Sequence, residues 1–149
     1  MKYQWKDAAH ISVSADLAGQ MCEQLEKTVG LTAKTLLDAN RNPGTPLHDA
    51  FEWNDGIAAE KFREEQAAHI IRCLCIHSEQ SKEETVRAFF TVEKTVYESL
   101  SIIIGDEDKR SRLLAAAMRE FEAYRRKYNS LKALLPLFNT FEEIKNKEI

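Results

Sequence analysis

The spacing of apolar residues in the last third of the chain limits what this protein can fold into more than any other feature. At alternating intervals of three and four residues stand Leu114, Ala117, Phe121, Tyr124, Tyr128, Leu131, Leu135 and Phe138. Such intervals place side chains on one face of an α-helix. The sequence therefore predicts a long C-terminal helix with a heptad-like apolar face.

Flanking residues indicate where this helix begins and where it is interrupted. Asp106 can cap its first turn, and the acidic residues that follow favour the positive end of the helix dipole. Pro136 cannot donate a backbone hydrogen bond and disfavours a helical Leu135. We therefore expect a kink or a break between Asn129 and Pro136 rather than one straight helix.

Three shorter helices are predicted upstream. Ser14 can cap the first, and Gly30 can end it in the left-handed conformation; its apolar positions are Leu17, Met21, Leu25 and Val29. Thr32 can cap a second helix that reaches about Asn40, because RNPGTP follows. The third helix is GIAAEKFREEQAAHII, with Asn54 or Asp55 as its cap. Its expected buried residues are Ala58, Ala59, Phe62, Ala67, Ile70 and Ile71.

Two β-rich runs follow the third helix. RCLCIHS and TVRAFFTV, joined by the polar SEQSKEE, predict a β-hairpin. YESLSIII fits a strand or a short helix, and we assign it as a helical turn. The expected fold is one α+β domain over residues 1–149, with a helical and hairpin core in 1–104 and a C-terminal helical segment in 105–149.

Charge and composition restrict the class of protein. Residues 1–104 hold 11 basic and 16 acidic residues, and residues 105–149 hold 10 and 8, so the two parts carry −5 and +2. A face that follows nucleic-acid phosphates usually carries a dense basic patch. The sequence also lacks a signal-peptide pattern and an apolar run long enough to span a bilayer. We expect a cytoplasmic protein without membrane contact.

Few residues have the spacing of a catalytic or metal site. Cys73, Cys75 and His77 alternate along the first predicted strand, where neighbouring same-face residues stand about 6.5–7 Å apart. Two thiolates that share a zinc ion must come within roughly 4 Å. We therefore expect no metal there. No nucleophile motif or glycine-rich phosphate loop is present, so we expect no cofactor and no enzymatic activity.

The stretch TPLHDAFEWND, between the second and third helices, concentrates aromatic and acidic residues. The favoured interpretation is a structural corner, in which Phe51 and Trp53 pack beneath the adjoining helices and Asp55 caps the third. The alternative is a partner contact, made by His48, Asp49 and Glu52. The two interpretations differ in whether Trp53 is buried.

At this stretch the chain resembles a family of small uncharacterised bacteriophage and prophage proteins. These carry Pro-Leu-His, then Phe-Glu-Trp-Asp-Asp, then Ala-Ala and a Tyr-Arg pair. The main matching residues are Pro46, Leu47, His48, Phe51, Glu52, Trp53, Asp55, Glu60, Arg63 and Gln66. Asn54 and Phe62 depart from the pattern, where the family has Asp and Tyr. The resemblance implies a phage origin, and with it a cytoplasmic location in a bacterial host, but no particular activity.

These observations favour a non-enzymatic protein that acts through protein partners or by self-association as a dimer. The residues expected to carry self-association are Phe121, Tyr124, Tyr128 and Leu131. The alternative is a DNA-binding regulator, since the element order is that of a winged-helix domain and Arg125, Arg126 and Lys127 could contact nucleic acid. A small enzyme of unrecognised type is the third interpretation.

Overall fold

The structure is a computed structural model that describes residues 2–54, 57–78 and 83–147, with the side chains of residues 57 and 58 excepted. The chain divides into two compact units, Met1–Gly105 and Asp106–Ile149. The first unit mixes helices with small sheets, and the second is helical.

The first unit begins with a strand, which three helices follow. In chain order these elements are β1 (Tyr3–Trp5), α1 (Ala15–Thr28), α2 (Ala33–Ala39), a 3₁₀ turn (His48–Ala50) and α3 (Ile57–Cys73). Then come β2 (Leu74–His77), β3 (Thr85–Arg87), β4 (Phe89–Glu93), β5 (Val96–Ser99) and α4 (Leu100–Gly105). The α+β class is confirmed, but the predicted order is wrong at its start, because β1 precedes the helices.

The strands form two antiparallel sheets. One has the order β1-β2-β3, and Tyr3 lies opposite Ile76 in its register. The other pairs β4 with β5, and Phe89 lies opposite Ser99. The predicted hairpin is confirmed by the pairing of β2 with β3. Residues 79–82, which make up most of the predicted loop SEQSKEE, lie outside the described residues.

Three predictions about the β-rich segments need correction. TVRAFFTV is not one strand: it divides at Ala88, whose amide donates to the Leu74 carbonyl at 2.9 Å, and continues in the second sheet. The first three residues of YESLSIII belong to β5 and the other five to α4, so the helical-turn assignment is wrong for the first three. Cys73 ends α3 instead of beginning the strand. Phe89–Glu93 pairs with Val96–Ser99. The alternation of apolar and polar residues within one strand does not show which other strand it pairs with.

The caps of α1 and α2 agree with the sequence. The Ser14 hydroxyl accepts a hydrogen bond from the Leu17 amide, and Gly30 has a φ of +85° just beyond the helix. Thr32 and Thr35 form a reciprocal capping box at the start of α2. The predicted ends of both helices are therefore confirmed, whereas the cap proposed for α3 at Asp55 lies outside the described residues.

The buried side of α1 differs from the predicted apolar stripe. Leu17 and Val29 are exposed, while Ala18, Gly19 and Cys22 are buried. An alanine Cβ built at Gly19 would come within 2.1 Å of the Tyr3 ring. Strand β1 therefore packs closely on α1. Only small side chains fit on the face of the helix that contacts Tyr3.

The core of the first unit joins α1, α2, α3 and both sheets. Its fully buried aliphatic residues include Leu31, Leu36, Leu37, Leu47, Ile70, Ile71 and Leu74. Ala67, Ile70 and Ile71 agree with the prediction for α3. Phe62 does not, since 54% of its surface is exposed. It lies on the outer face of α3. The spacing of apolar residues along the helix does not distinguish this position from the buried ones.

The second unit consists of α5 (Glu107–Tyr128), a 3₁₀ turn (Lys132–Leu134) and α6 (Leu135–Lys147). The Asp106 carboxylate caps α5 by accepting from the Lys109 amide at 3.0 Å. Pro136 falls in the first turn of α6, where a missing amide donor costs little. The predicted long helix and the break after it are confirmed. Within the described ranges, no helix has both the length and the apolar character needed to cross a membrane.

Candidate functional site

The corner between α2 and α3 is held by the buried side chain of Asn40. Its amide group donates to the Leu36 carbonyl at 2.8 Å, and its oxygen accepts from the Leu47 amide at 3.1 Å. Asn40 thus joins the end of α2 to the 3₁₀ turn. Because Asn40 and Leu47 are both fully buried, losing either bond would leave a buried polar group without its partner.

His48 and Trp53 form the aromatic part of the corner. Their rings stack with centroids 4.6 Å apart and planes inclined by 6°. The His48 Nδ1 atom lies 3.0 Å from the Asn40 carbonyl, and a carbonyl can only accept, so this nitrogen carries a proton. The indole nitrogen of Trp53 donates to the His48 carbonyl at 2.8 Å. The Nδ1 atom of His48 and the indole nitrogen of Trp53 are therefore both engaged within the corner.

Arg63 carries a buried charge at the same place, with 6% of its surface exposed. Its guanidinium lies 5.1 Å from the centroid of the Trp53 ring, and its Nε donates to the Glu52 carbonyl. Glu60 lies 3.6 Å from Arg63 and also pairs with Arg41. The buried charge is therefore stabilised by an aromatic face, backbone carbonyls and a carboxylate.

The residues shared with the phage-protein pattern meet in this corner. Gln66 accepts from the Glu52 amide at 3.0 Å, and Phe51 lies 5.8 Å from the Trp53 ring. The residues brought together are Leu47, His48, Phe51, Glu52, Trp53, Glu60, Arg63 and Gln66; Pro46 is exposed, and Asp55 lies outside the described residues. Since most of the polar groups bond one another, this geometry favours a structural corner over a binding site.

The cysteines and histidines do not converge on a metal site in the structure. Cys73 and Cys75 are buried in successive elements, whereas His77 is exposed. Among the described residues, no group of three or more His, Cys, Asp or Glu side chains is arranged to hold a metal ion. Burial raises the pKa of the Cys75 thiol. The Cys73 sulfur lies 3.6 Å from the ring nitrogens of His69 but has no exposed surface, so a substrate could not reach it.

A polar groove of about 420 Å³ lies beside the corner, between the loop after β1 and α3. His10, His69 and Arg72 line it together with Asp49 and Glu65, and the exposed ring of Phe62 forms part of its wall. Arg72 and Glu65 are 3.9 Å apart. The groove has the size for a small ligand, but the mixed charges converge on no common point that would identify a reaction.

The second unit builds its core from aromatic residues. Phe121 of α5 and Phe141 of α6 have ring centroids 4.5 Å apart, and Tyr124 lies 6.4 Å from Phe138. Phe138 and Phe141 are buried. Two of the residues predicted to carry self-association, Phe121 and Tyr124, therefore contact α6 in their own chain.

The remaining surface of this unit is unusually apolar. Helix α5 is 22 residues long and contains no buried residue. Large apolar side chains with more than two-fifths of their surface exposed are Leu114, Tyr124, Leu131, Leu135, Leu137 and Ile144. We call this group the exposed apolar set. Exposed apolar side chains that form a contiguous patch mark interaction sites.

The basic residues at the end of α5 are largely paired with carboxylates. Arg125 donates to Glu122 through Nε at 3.1 Å and through Nη2 at 2.6 Å, and it lies 3.5 Å from Glu142. Arg126 contacts Glu122 at 3.3 Å, and Lys127 lies over the Tyr128 ring. The Arg125 hydrogen bond is the main reason that the pKa of Glu122 falls to about 2. These carboxylates reduce the positive field that a nucleic acid would meet.

Sequence reasoning missed two residues on which the corner and the first sheet depend. Asn40 could have been noticed as an amide at a helix end directly before a proline-rich turn. No sequence pattern marks Asp16 as a capping residue. Its carboxylate nevertheless accepts hydrogen bonds from the backbone amides of Lys2 and Tyr3, at 2.9 and 2.8 Å. The hydrogen bond from the Tyr3 amide is the largest cause of the lowered pKa of Asp16, and the bond from the Lys2 amide adds to it.

Comparisons of the chain with protein-family models, with curated proteins and with solved structures found no match.

Proposed function

We propose that this is a non-enzymatic protein that self-associates through the apolar surface of its C-terminal helical unit. The observation that supports this most directly is helix α5, which has 22 residues and none buried. A helix about 33 Å long normally buries one face against a partner. A second copy of the chain is the commonest partner for an excess of apolar surface.

Energetic reasoning also favours a partner for this surface. Covering apolar area contributes about 25 cal/mol for each Å² removed from water, and the exposed apolar set offers several large side chains. Exposed arginines and lysines, such as Arg126 and Lys127, occur on the same helical unit, and the rims of protein interfaces are polar.

The other interpretations gain less support. The winged-helix interpretation needs free cations, yet Arg125 and Arg126 bond Glu122. The enzymatic interpretation needs an accessible nucleophile, and Cys73, which contacts His69, is fully buried. The phage origin stays a prediction from the resemblance alone.

The proposal can be tested by placing a charge on the apolar surface. Leu114→Glu changes a side chain that is 43% exposed, so the chain should still fold. Each copy would lose about 1 kcal/mol or more of apolar contact in a two-fold dimer, and the dissociation constant should therefore rise at least about tenfold. Sedimentation velocity over a dilution series measures this change.

Leu17→Glu is the matched control. Leu17 is a helical leucine of the first unit with 46% of its surface exposed, and the substitution adds the same charge. The control variant should associate as strongly as the original chain. Equal dissociation constants for Leu114→Glu and Leu17→Glu would contradict the proposed surface.

A further inference from the structure

We propose that a groove between α5 and α6 binds a fatty acid, with the alkyl chain inside the groove and the carboxylate at its cationic edge. The groove lies within the second unit and has a volume of about 380 Å³. This volume is within the usual range for a small-ligand site. Its lining residues are Met118, Arg119, Glu122, Ala123, Arg126, Phe141 and Lys145. Among the described residues, the exposed apolar set shares no member with this lining, so the inference goes beyond the proposed self-association.

The inside of the α5–α6 groove is apolar. Met118 and Ala123 of α5 and the buried ring of Phe141 supply apolar contacts. Four of the seven lining residues are charged, yet almost all of the accessible surface inside the groove is apolar. Long basic side chains lay their methylene stems along apolar surface and keep their charged groups in water. The stems therefore form part of the walls, and the charges lie at the edge.

The edge of the groove is cationic. Three of its four charged residues are basic, namely Arg119, Arg126 and Lys145. Within residues 83–147, neither Arg119 nor Lys145 lies within ion-pair distance of a carboxylate. Arg126 contacts Glu122 through Nε only, and its side chain is 78% exposed. The terminal nitrogens of these side chains are therefore accessible to an anion.

The single carboxylate in the lining, Glu122, does not cancel this positive charge. Arg125, which lies outside the lining, donates to Glu122 at 3.1 and 2.6 Å. Arg125 also lies 3.5 Å from Glu142. Adding Arg125 and Glu142 to the four charged lining residues gives four cations and two carboxylates. An excess of two positive charges thus remains at the groove.

The apolar interior and the cationic edge together identify the class of ligand. Each methylene that enters an apolar groove tightens binding about fourfold. A guanidinium matches a carboxylate in both charge and shape. A neutral apolar ligand would make no use of the cations, and a nucleic acid would make no use of the apolar interior. One turn of a partner helix, about 5.4 Å long and 10 Å across, occupies roughly 400 Å³ and would fill the groove by itself.

Isothermal titration calorimetry of the full chain with sodium decanoate, below micelle-forming concentrations, tests for this binding. Decanoate should bind about tenfold more tightly than octanoate, because two more methylenes are buried. Decyltrimethylammonium has the same alkyl chain length with a cationic head, and it should bind at least about tenfold more weakly than decanoate. Equal affinities for the two head groups would contradict the proposed role of the cations.

Variants of the groove locate the site. Arg119→Gln combined with Lys145→Gln removes two cations from the edge and should weaken decanoate binding about tenfold. Lys127→Gln combined with Lys147→Gln is the matched control, because it removes the same charge from exposed positions of α5 and α6 outside the lining. Ala123→Phe changes an exposed position and places a ring in the groove, so it should also weaken binding. Far-ultraviolet circular dichroism checks that each variant keeps its helices.

The outcomes separate this inference from self-association. Weaker decanoate binding in the double groove variant, with unchanged binding in the matched control, supports the fatty-acid site even if the chain proves to be a monomer. Equal binding to the unmodified chain and to all the variants would place the ligand elsewhere and contradict the inference. Absence of decanoate binding to the unmodified chain would also contradict it. If the double groove variant then associated more weakly than the control, a second copy would be the occupant of the groove.

Discussion

His48 and Trp53 are joined twice, by stacking of their rings at 4.6 Å and by a 2.8 Å hydrogen bond from the Trp53 indole nitrogen to the His48 carbonyl. The two residues lie on opposite sides of Phe51 in the sequence, so these contacts close the corner into a compact loop. Arg63 reaches the same indole ring from α3. The corner is therefore a connection between elements of the core.

Removing the Trp53 ring should destabilise the first unit. Trp53 is half-buried and packs against the core, so Trp53→Ala should lower the free energy of unfolding by about 2–3 kcal/mol, less than for a fully buried ring. Urea unfolding followed by circular dichroism measures this loss. Phe62→Ala is the control, since Phe62 is 54% exposed and its loss should cost little. Equal unfolding midpoints for the two variants would indicate that Trp53 serves a partner contact instead.

Replacing Arg63 should lower the stability of the first unit by more than is usual for an arginine on a charged helix. Arg63→Met keeps the apolar stem but removes the donors to the carbonyls of Glu52 and Asn54. We expect a loss of about 2–4 kcal/mol in unfolding free energy, because the hydrogen bonds made by a buried charged group are lost. Lys61→Met, at an exposed position of the same helix, should change stability by less than about 0.5 kcal/mol. A similar loss in both variants would refute the role given to Arg63.

Gly19→Ala should destabilise the protein although alanine is the better helix former. The added Cβ would approach the Tyr3 ring to 2.1 Å, so strand β1 or the helix must move. Overpacking of this kind typically costs about 1–3 kcal/mol, which outweighs the roughly 1 kcal/mol gained in helix propensity. Gly105→Ala, where a Cβ would meet no atom within 4 Å, is the control. A higher melting temperature for Gly19→Ala would disprove the close packing of β1 on α1.

Acid should weaken the second unit through Glu122. Its pKa is lowered to about 2 in the folded chain, chiefly by the Arg125 hydrogen bond, from an ordinary value of 4.5. The interaction is therefore complete above about pH 4.5 and is lost as the pH falls towards 2. The melting temperature should fall less over this interval in Glu122→Gln than in the original chain, and Arg125→Met should resemble Glu122→Gln. Identical acid sensitivity in all three proteins would show that the pair contributes nothing.

The helices could be predicted from the sequence because their signals are local. Ser14, Thr32 and Asp106 each cap the helix that follows them, and the break before Pro136 follows from proline chemistry. These interactions span only a few residues. They require no knowledge of the rest of the chain.

The sheets and the corner depend on contacts between distant residues. Tyr3 pairs with Ile76, and Asp16 accepts bonds from β1, so neither interaction has a local signature. Gly19 did carry a signal, because a glycine within a helical pattern often marks close packing. The sequence predicts Phe62 in the core because α3 has apolar residues on more than one face. The contacts between α5 and α6 join residues on different helices, so the apolar pattern of α5 alone does not show which of its residues are exposed.

Sedimentation equilibrium of the unmodified chain determines whether it self-associates. We predict a mass of about twice the chain mass of 17.1 kDa at micromolar concentration, falling towards the chain mass on dilution. A single species of 17.1 kDa that persists up to hundreds of micromolar would exclude self-association.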